Sequence, residues 1–217
     1  MKRVLFFALL LGFATLQAQN SDEDKRTISK GTWNLEGNVG FGFNSSESDY
    51  LNANQEANGS FISIFPSIGY SVADQWMVGL KTGYGFNKSE IERSNEAVSS
   101  ENKSESITLA PYVRRYFGLT SNLVAHLQGE MGYLRAWTES VSSDSNRSTS
   151  EVNQYFAAIR PGLSFFVSDK LALETFIGAL QYSSSKNEYD TSETVKNNNF
   201  RFDLDSSNIL FGLSYYF

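Results

Sequence analysis

The 217-residue chain carries 18 Lys and Arg against 24 Asp and Glu, a formal net charge of −6, with no cysteine, 14% aromatic residues, 16 glycines and three prolines. The missing cysteine excludes a disulfide framework, a thiolate metal centre and a lipid-modified N-terminal Cys. The acidic balance argues against nucleic acid as a partner, and the aromatic and glycine content fits a β-rich chain rather than a disordered one.

The first segment reads as an export signal. Lys2 and Arg3 precede an apolar run from Val4 to Leu16, followed by the small residue Ala18. The run is shorter than a membrane-spanning helix needs, so cleavage is expected near Ala18 or Gln19. Residues 1–18 are thus assigned to the signal, 19–30 to a short polar segment and 31–217 to one β domain. Without Lys2 and Arg3 the balance is 16 basic to 24 acidic residues, a net charge of −8.

From there the pattern has a period of two, with one apolar and one polar face. The first strand, near 32–43, sets Trp33, Leu35, Val39, Phe41 and Phe43 against Glu36, Asn38 and Gly40. The second, near 60–72, sets Ile62, Ile64, Pro66, Ile68, Tyr70 and Val72 against Ser63, Ser67 and Ser71. The third, near 76–87, shows Trp76, Val78, Leu80, Tyr84 and Phe86 outward and Gly79, Lys81 and Gly83 inward. The fourth, near 106–117, has Ile107, Leu109, Pro111, Val113 and Phe117 outside and Tyr112, Arg114 and Tyr116 inside. The fifth, 123–137, opposes Leu127, Met131 and Tyr133 to His126, Gln128 and Glu130. The sixth, near 154–167, opposes Tyr155, Ile159, Pro161 and Phe165 to Phe156, Arg160 and Ser164.

The seventh strand is the faintest, with Leu171, Leu173, Thr175, Ile177 and Ala179 on one parity and Glu174 on the other. The eighth ends the chain. Ile209, Phe211, Leu213, Tyr215 and Phe217 share a face, whereas Arg201, Asp203 and Asp205 at the same parity are too polar for lipid. The nine residues from Ile209 fall within the roughly 9–11 that a tilted membrane strand requires.

Connections alternate in length: short turns at 73–75, 118–122 and 168–170, long Ser-, Asn- and acid-rich segments at 44–59, 88–105, 138–153 and 183–200. This alternation, with alternate residues on lipid, predicts an all-β, eight-stranded antiparallel up-and-down transmembrane barrel, long loops outside and short turns periplasmic. Trp33, Tyr70, Trp76, Phe117 and Tyr215 fall near the periplasmic ends, and Phe43, Tyr84, Phe86, Tyr133 and Trp137 near the extracellular ends, as two aromatic girdles require. A soluble sandwich would have to explain large apolar residues pointing out of every strand. Pro66, Pro111 and Pro161 all sit on lipid-facing positions of descending strands, where a bulge at each is expected because proline cannot donate to the ladder.

The units Pro66-Ser67-Ile68-Gly69-Tyr70, Pro111-Tyr112-Val113-Arg114-Arg115-Tyr116-Phe117 and Pro161-Gly162-Leu163-Ser164-Phe165-Phe166, with the terminal Tyr215-Tyr216-Phe217, resemble the OmpA/OmpX-like eight-stranded outer-membrane barrel family over the whole chain after the signal. The resemblance implies an outer-membrane location in a Gram-negative-type bacterium. It also implies that Ile209, Phe211, Leu213, Tyr215 and Phe217 form the signal read by the outer-membrane assembly machinery. No periplasmic domain is expected after Phe217, so a cell-wall tether is not. Arg115, outward near the periplasmic rim, is tolerable if its guanidinium snorkels to the headgroups.

The inner face carries Glu36, Lys81, Arg114, His126, Gln128, Glu130, Arg160 and Glu174. Three acids balance three formal cations, and an eight-stranded barrel is just wide enough for side chains to fill it, so a plugging network is expected over a conducting lining. A Glu130–Arg160 pair is expected, and Arg114 is placed opposite His126. Catalysis is not expected, since His126 is the chain's one histidine and lies deep near a periplasmic turn. Glu47 with Asp49, or Glu90, Glu92 and Glu96, offer oxygen ligands, but none completes a calcium-loop pattern, so solvated loops are the reading and no metal or cofactor is implied. The expected role is structural or surface-interacting; the alternatives are a narrow small-solute channel and a lipid-active enzyme. Expected partners are outer-membrane lipid and lipopolysaccharide, the assembly machinery during biogenesis and an extracellular ligand or host surface, with the chain a monomer.

Overall fold

A computed structural model of the chain describes residues 25–50, 53–93, 100–142, 147–189, 194–203 and 210–217. Expectations resting on the export signal, on Glu96, on Asp205 and on Ile209 lie outside these residues. The elements are β1 (Trp33–Tyr50), β2 (Ala53–Ala73), β3 (Trp76–Arg93), β4 (Ser100–Gly118), β5 (Leu123–Ser142), β6 (Arg147–Phe166), β7 (Leu171–Phe176), β8 (Ala179–Tyr189), β9 (Thr194–Asp203) and β10 (Leu210–Tyr216).

β1 to β6 pair in succession, β6 pairs with β7, β7 with β10 and β10 with β1, all antiparallel. β8 continues β7 along β6, and β9 pairs with β8, so β7 with β8 and β9 with β10 are each one stave of an eight-stranded ring. The ring closes where the main-chain groups of Trp33 and Phe217 exchange hydrogen bonds at 2.7 and 3.0 Å. Where the ring is closed, antiparallel pairing satisfies the backbone without a free edge, as lipid demands. The β1–β10 pairing runs from Asn34–Tyr216 up to Asn38–Gly212. Above it, among the described residues, β1 pairs only with β2 and β9 only with β8. Phe41, Phe43, Phe200 and Phe202 are exposed there.

Apolar residues face outward on every stave, for example Leu35, Ile64, Leu80, Leu109, Leu127, Ile159, Leu173 and Leu213, each at least 40% exposed. Their inward neighbours are buried or half-buried, many of them polar. This inversion of the soluble pattern is what a lipid solvent selects.

The long segments at 44–59, 88–105, 138–153 and 183–200 are not loops for most of their length. β1 to β6 run 18 to 21 residues, with continuous pairing such as Tyr50–Ala53, Lys88–Lys103 and Val141–Arg147. Roughly 9–11 residues suffice to cross a membrane, so the remainder forms hairpin walls standing clear of it. Serine, asparagine and glutamate there read as loop by composition, yet ladder pairing with the adjacent strand carries them on as sheet.

The prolines are accommodated in two ways, and only one is a bulge. At Pro66 and Pro111 the ladder on one side lapses and resumes in the same register, Ile64 opposite Tyr84 and Ser67 opposite Lys81, then Leu109 opposite Tyr133 and Tyr112 opposite Glu130. A local lapse in pairing costs less than shifting every residue to the wrong face. At Pro161 the neighbouring stave takes an extra residue: Gly162 faces Phe176 and Ile159 faces Leu180, three steps against four. Gly178 adopts a φ of 77°, and the Ile177 N–H reaches the Pro161 carbonyl at 2.9 Å. This bulge splits the seventh stave and reverses its parity, so Leu180 and Tyr182 take the outer face and Ala179 does not share a face with Thr175, contrary to strict alternation. On the eighth stave, likewise, Phe200 faces with Tyr182, which it pairs.

Candidate functional site in the barrel lumen

Seven of the eight inward polar residues named from the sequence converge on two layers, and His126 stands apart. In the lower layer Arg114 on β4 donates to Glu36 Oε2 at 2.7 Å and to Glu174 Oε2 at 2.8 Å, and its Nε reaches Gln128 Oε1 at 2.8 Å. Arg114 is 1% exposed. Tyr216 donates to Glu174 Oε1 at 2.6 Å, its hydroxyl lying 3.3 Å from that of Tyr116. Two carboxylates, from the strands on either side of β10, thus meet one guanidinium reaching across the bore from β4.

One inward step higher, Glu130 receives Lys81 Nζ at 2.5 Å and Arg160 Nε at 2.8 Å. Gln128 joins the layers, accepting from Arg114 and donating to Glu130 at 2.9 Å. The expected Glu130–Arg160 contact is present, and Lys81, two staves away from Glu130, is a partner that strand-by-strand counting missed. A pairing across the lumen leaves no trace in neighbouring-strand register.

Arg114 does not stand opposite His126. The register places Arg114 against Gln128 and Tyr116 against His126. The His126 Nδ1 lies 3.1 Å from Ser164 Oγ, its ring meets Phe176 and Tyr116 edge-on, and Gly162 opposite it leaves the room its ring occupies. The imidazole is 2% exposed. Among the described residues no acid orients it.

Below both layers the polar N-terminal segment does something composition did not suggest. Residues 25–31 cross the mouth at the short-turn end and bind each turn. The Gln75 N–H donates to the Ile28 carbonyl at 2.8 Å, the Arg26 N–H to Thr120 at 3.0 Å and the Gly31 N–H to Ser71 at 2.8 Å. Asp74 accepts from the Lys30 N–H at 2.8 Å. The Arg26 guanidinium lies 3.9 Å over the Phe166 ring and also bonds the Asp169 carbonyl. Ile28, 4% exposed, packs with Met77, Tyr112, Tyr116, Val124, Phe166, Ala172 and Tyr216 as an apolar stopper. An isolated isoleucine in a polar stretch was its only sequence signal.

Above the layers the lumen opens into a cavity of about 250 Å³ whose floor is Lys81, Glu130 and Arg160. On the outer wall, Trp33 and Tyr70 pack at 4.9 Å, Tyr215 and Phe217 stack at 5.8 Å, and Tyr133 and Tyr155 pack at 5.2 Å. Trp76 and Phe117 flank Arg115, whose guanidinium lies 5.0 Å over the Trp76 ring. Phe43, Tyr84, Phe86 and Trp137 stand on the outer face higher up. Leu213, Tyr215 and Phe217 form an exposed row; Ile209 and the side chain of Phe211 lie outside the described residues. No group of three or more His, Asp or Glu among the described residues is arranged to hold a metal.

A model of the family described as outer membrane protein beta-barrel domain matches residues 6–217. Among solved structures the chain is similar to the outer membrane protein OprG from Pseudomonas aeruginosa, at 13% identity over 87% of this chain and 97% of that one with a TM-score of 0.49. It is similar to a major outer membrane protein from Thermus thermophilus, at 12% identity over 86% and 99% with a TM-score of 0.48. It is also similar to Neisserial surface protein A, at 16% identity over 89% and 100% with a TM-score of 0.45. No curated protein matches.

Proposed function

Because this chain belongs to the outer membrane protein beta-barrel domain family, and so resides in the outer membrane, we propose that it is a non-conducting barrel with a structural or surface-interaction role. The observation that carries this reading is the filled lumen. Arg114 with Glu36 and Glu174 bridges the bore at one level, Glu130 with Lys81 and Arg160 at the next, and Ile28 stops the mouth below. Fully paired charge in a bore of eight strands leaves side chains where a channel would need water. Enzymatic chemistry is disfavoured because the His126–Ser164 pair is buried beneath the ion pairs, away from any substrate.

The hairpin walls supply the surface for an outside partner. They carry mixed charge on their outer faces, as in the Arg135–Glu151 pair at 2.8 Å and the Arg147–Glu139 pair at 2.6 Å, above the lipid-facing band where lipopolysaccharide headgroups lie. The lipid-facing terminal row Leu213, Tyr215 and Phe217 suits recognition by the assembly machinery, and the chain acts as a monomer. Planar-bilayer recordings of the refolded protein test the reading: no discrete conductance steps are expected, and reproducible steps at low salt would refute it. Trimming residues 138–152 is expected to abolish surface attachment while leaving the heat-modifiable gel mobility of a folded barrel.

A further inference from the structure

The cavity above the ion-pair layers has a built, lopsided chemistry. Its floor holds one carboxylate, Glu130, whose side chain is fully buried, and two cations, Lys81 and Arg160, which are 18% and 24% exposed. The floor therefore carries one positive charge in excess, turned toward the open side, while the compensating excess of negative charge lies a layer below in Glu36 and Glu174 about Arg114. Gln181 already accepts from Arg160 Nη2 at 3.3 Å, fixing the guanidinium plane at the cavity edge.

The walls mix apolar side chains with Thr108 and Gln154. Phe65 packs against Gly83 and Phe156 against Gly132, where a Cβ at either glycine would lie 2.4 Å from a ring atom. Pressed into these notches, the two rings leave the bore above the floor open rather than filling it. Leu134 completes the apolar side.

Asn38, 5% exposed, borders the cavity; its Nδ2 donates to Glu36 Oε1 at 2.7 Å, while its Oδ1 is turned onto Gly212 of β10. Its amide ties the floor to the layer below, and the polar groups left facing the space are the cations of Lys81 and Arg160.

We propose that this cavity binds a small carboxylic acid with an apolar body, entering from the extracellular side. The carboxylate meets Lys81 and Arg160, and the apolar body rests on Phe65 and Phe156. A space equal to about eight water molecules limits the ligand to a single ring or short chain. The inference rests on the closed floor of the preceding reading, but its test does not use conductance, so the two fail separately.

The test is isothermal titration of mandelate into the full-length protein refolded in detergent. Benzylamine, with a similar body and the opposite charge, and benzyl alcohol, with no charge, serve as comparisons. Mandelate is expected to saturate one site and benzylamine to give no saturable heat. Lys81→Met is expected to weaken mandelate about tenfold or more, the effect of losing a hydrogen bond to a charged group. Leu134→Trp, which fills the cavity and leaves the ion pairs intact, is expected to abolish binding while the unboiled protein still migrates as a folded barrel. Absent saturation by mandelate, equal binding of benzylamine, or unchanged binding in folded Leu134→Trp protein would each overturn the proposal.

Discussion

Replacing Arg114 by Met removes the one cation that bridges Glu36 and Glu174 among the described residues and leaves their side chains, 2% and 0% exposed, facing one another in the lumen. Three close hydrogen bonds go with it, two to carboxylates and one to Gln128. Removing one partner of a buried ion pair typically costs about 3–5 kcal/mol, chiefly because the surviving charge stays buried without compensation. Two carboxylates survive here, so Arg114→Met is expected at the upper end of that range. The same logic predicts a rescue: with Glu36→Gln and Glu174→Gln added, no charge remains uncompensated and most of the loss is recovered. Urea unfolding in detergent, followed by Trp33 and Trp76 fluorescence and by gel mobility, reads both variants. A cost below about 1 kcal/mol for the single variant, within the range of a surface ion pair, would refute the reasoning. So would a triple variant no more stable than the single one.

Glu130→Gln strands Lys81 and Arg160 together; since both are partly exposed, a smaller loss of about 1–3 kcal/mol is expected, seen as a lower unfolding temperature of the detergent-folded barrel. Ile28→Asp puts a charge in the apolar stopper and is expected to free residues 25–31, so that trypsin cuts at Lys25, Arg26 and Lys30 faster while gel mobility is unchanged; equal cleavage rates would count against the stopper. On the hairpin wall, hydrogen bonds from Arg135 and Asn153 hold the Glu151 carboxyl below the ordinary carboxylate range. Its contribution to the local structure is therefore fully present above that range and is lost as pH falls through the depressed value. With Trp33 and Trp76 replaced by Phe, Trp137 fluorescence should titrate in acid, because the Arg135 guanidinium lies 5.0 Å from its ring, and Glu151→Gln should remove that titration.

The barrel was legible because lipid outside and side chains inside impose a two-residue period, which Trp33 to Phe43 and Leu123 to Tyr133 keep with a single glycine each, Gly37 and Gly129, on the outer face. That period places Glu36, Lys81, Arg114, Glu130, Arg160 and Glu174 on the inner face. It does not say which meet across the bore, so Lys81 as a partner of Glu130 and Tyr216 as a partner of Glu174 emerge only from the closed ring. Alternation also fails where one residue is inserted: the bulge at Ile177 and Gly178 reverses the parity of Ala179 and Leu180, and a pattern read straight through assigns them to the wrong faces. The hairpin walls escaped notice for a different reason. Above the membrane both faces meet water, so Asn44 to Ser48 and Ser183 to Asn187 have no apolar half to show a period, and pairing with the adjacent strand holds them as sheet. The stopper escaped because one buried isoleucine has no periodic neighbours.

The central claim, a lumen closed from below and open only above its ion-pair layers, is tested most directly by cysteine labelling, since the chain has no cysteine of its own. Thr108, lining the upper cavity, and Ser71, fully buried beneath the layers, are each replaced as Thr108→Cys and Ser71→Cys, and intact cells are treated with a membrane-impermeant maleimide. Rapid labelling at position 108 and none at position 71 until the protein is unfolded is the result the closed lumen predicts; comparable labelling at both positions in the folded protein would contradict it.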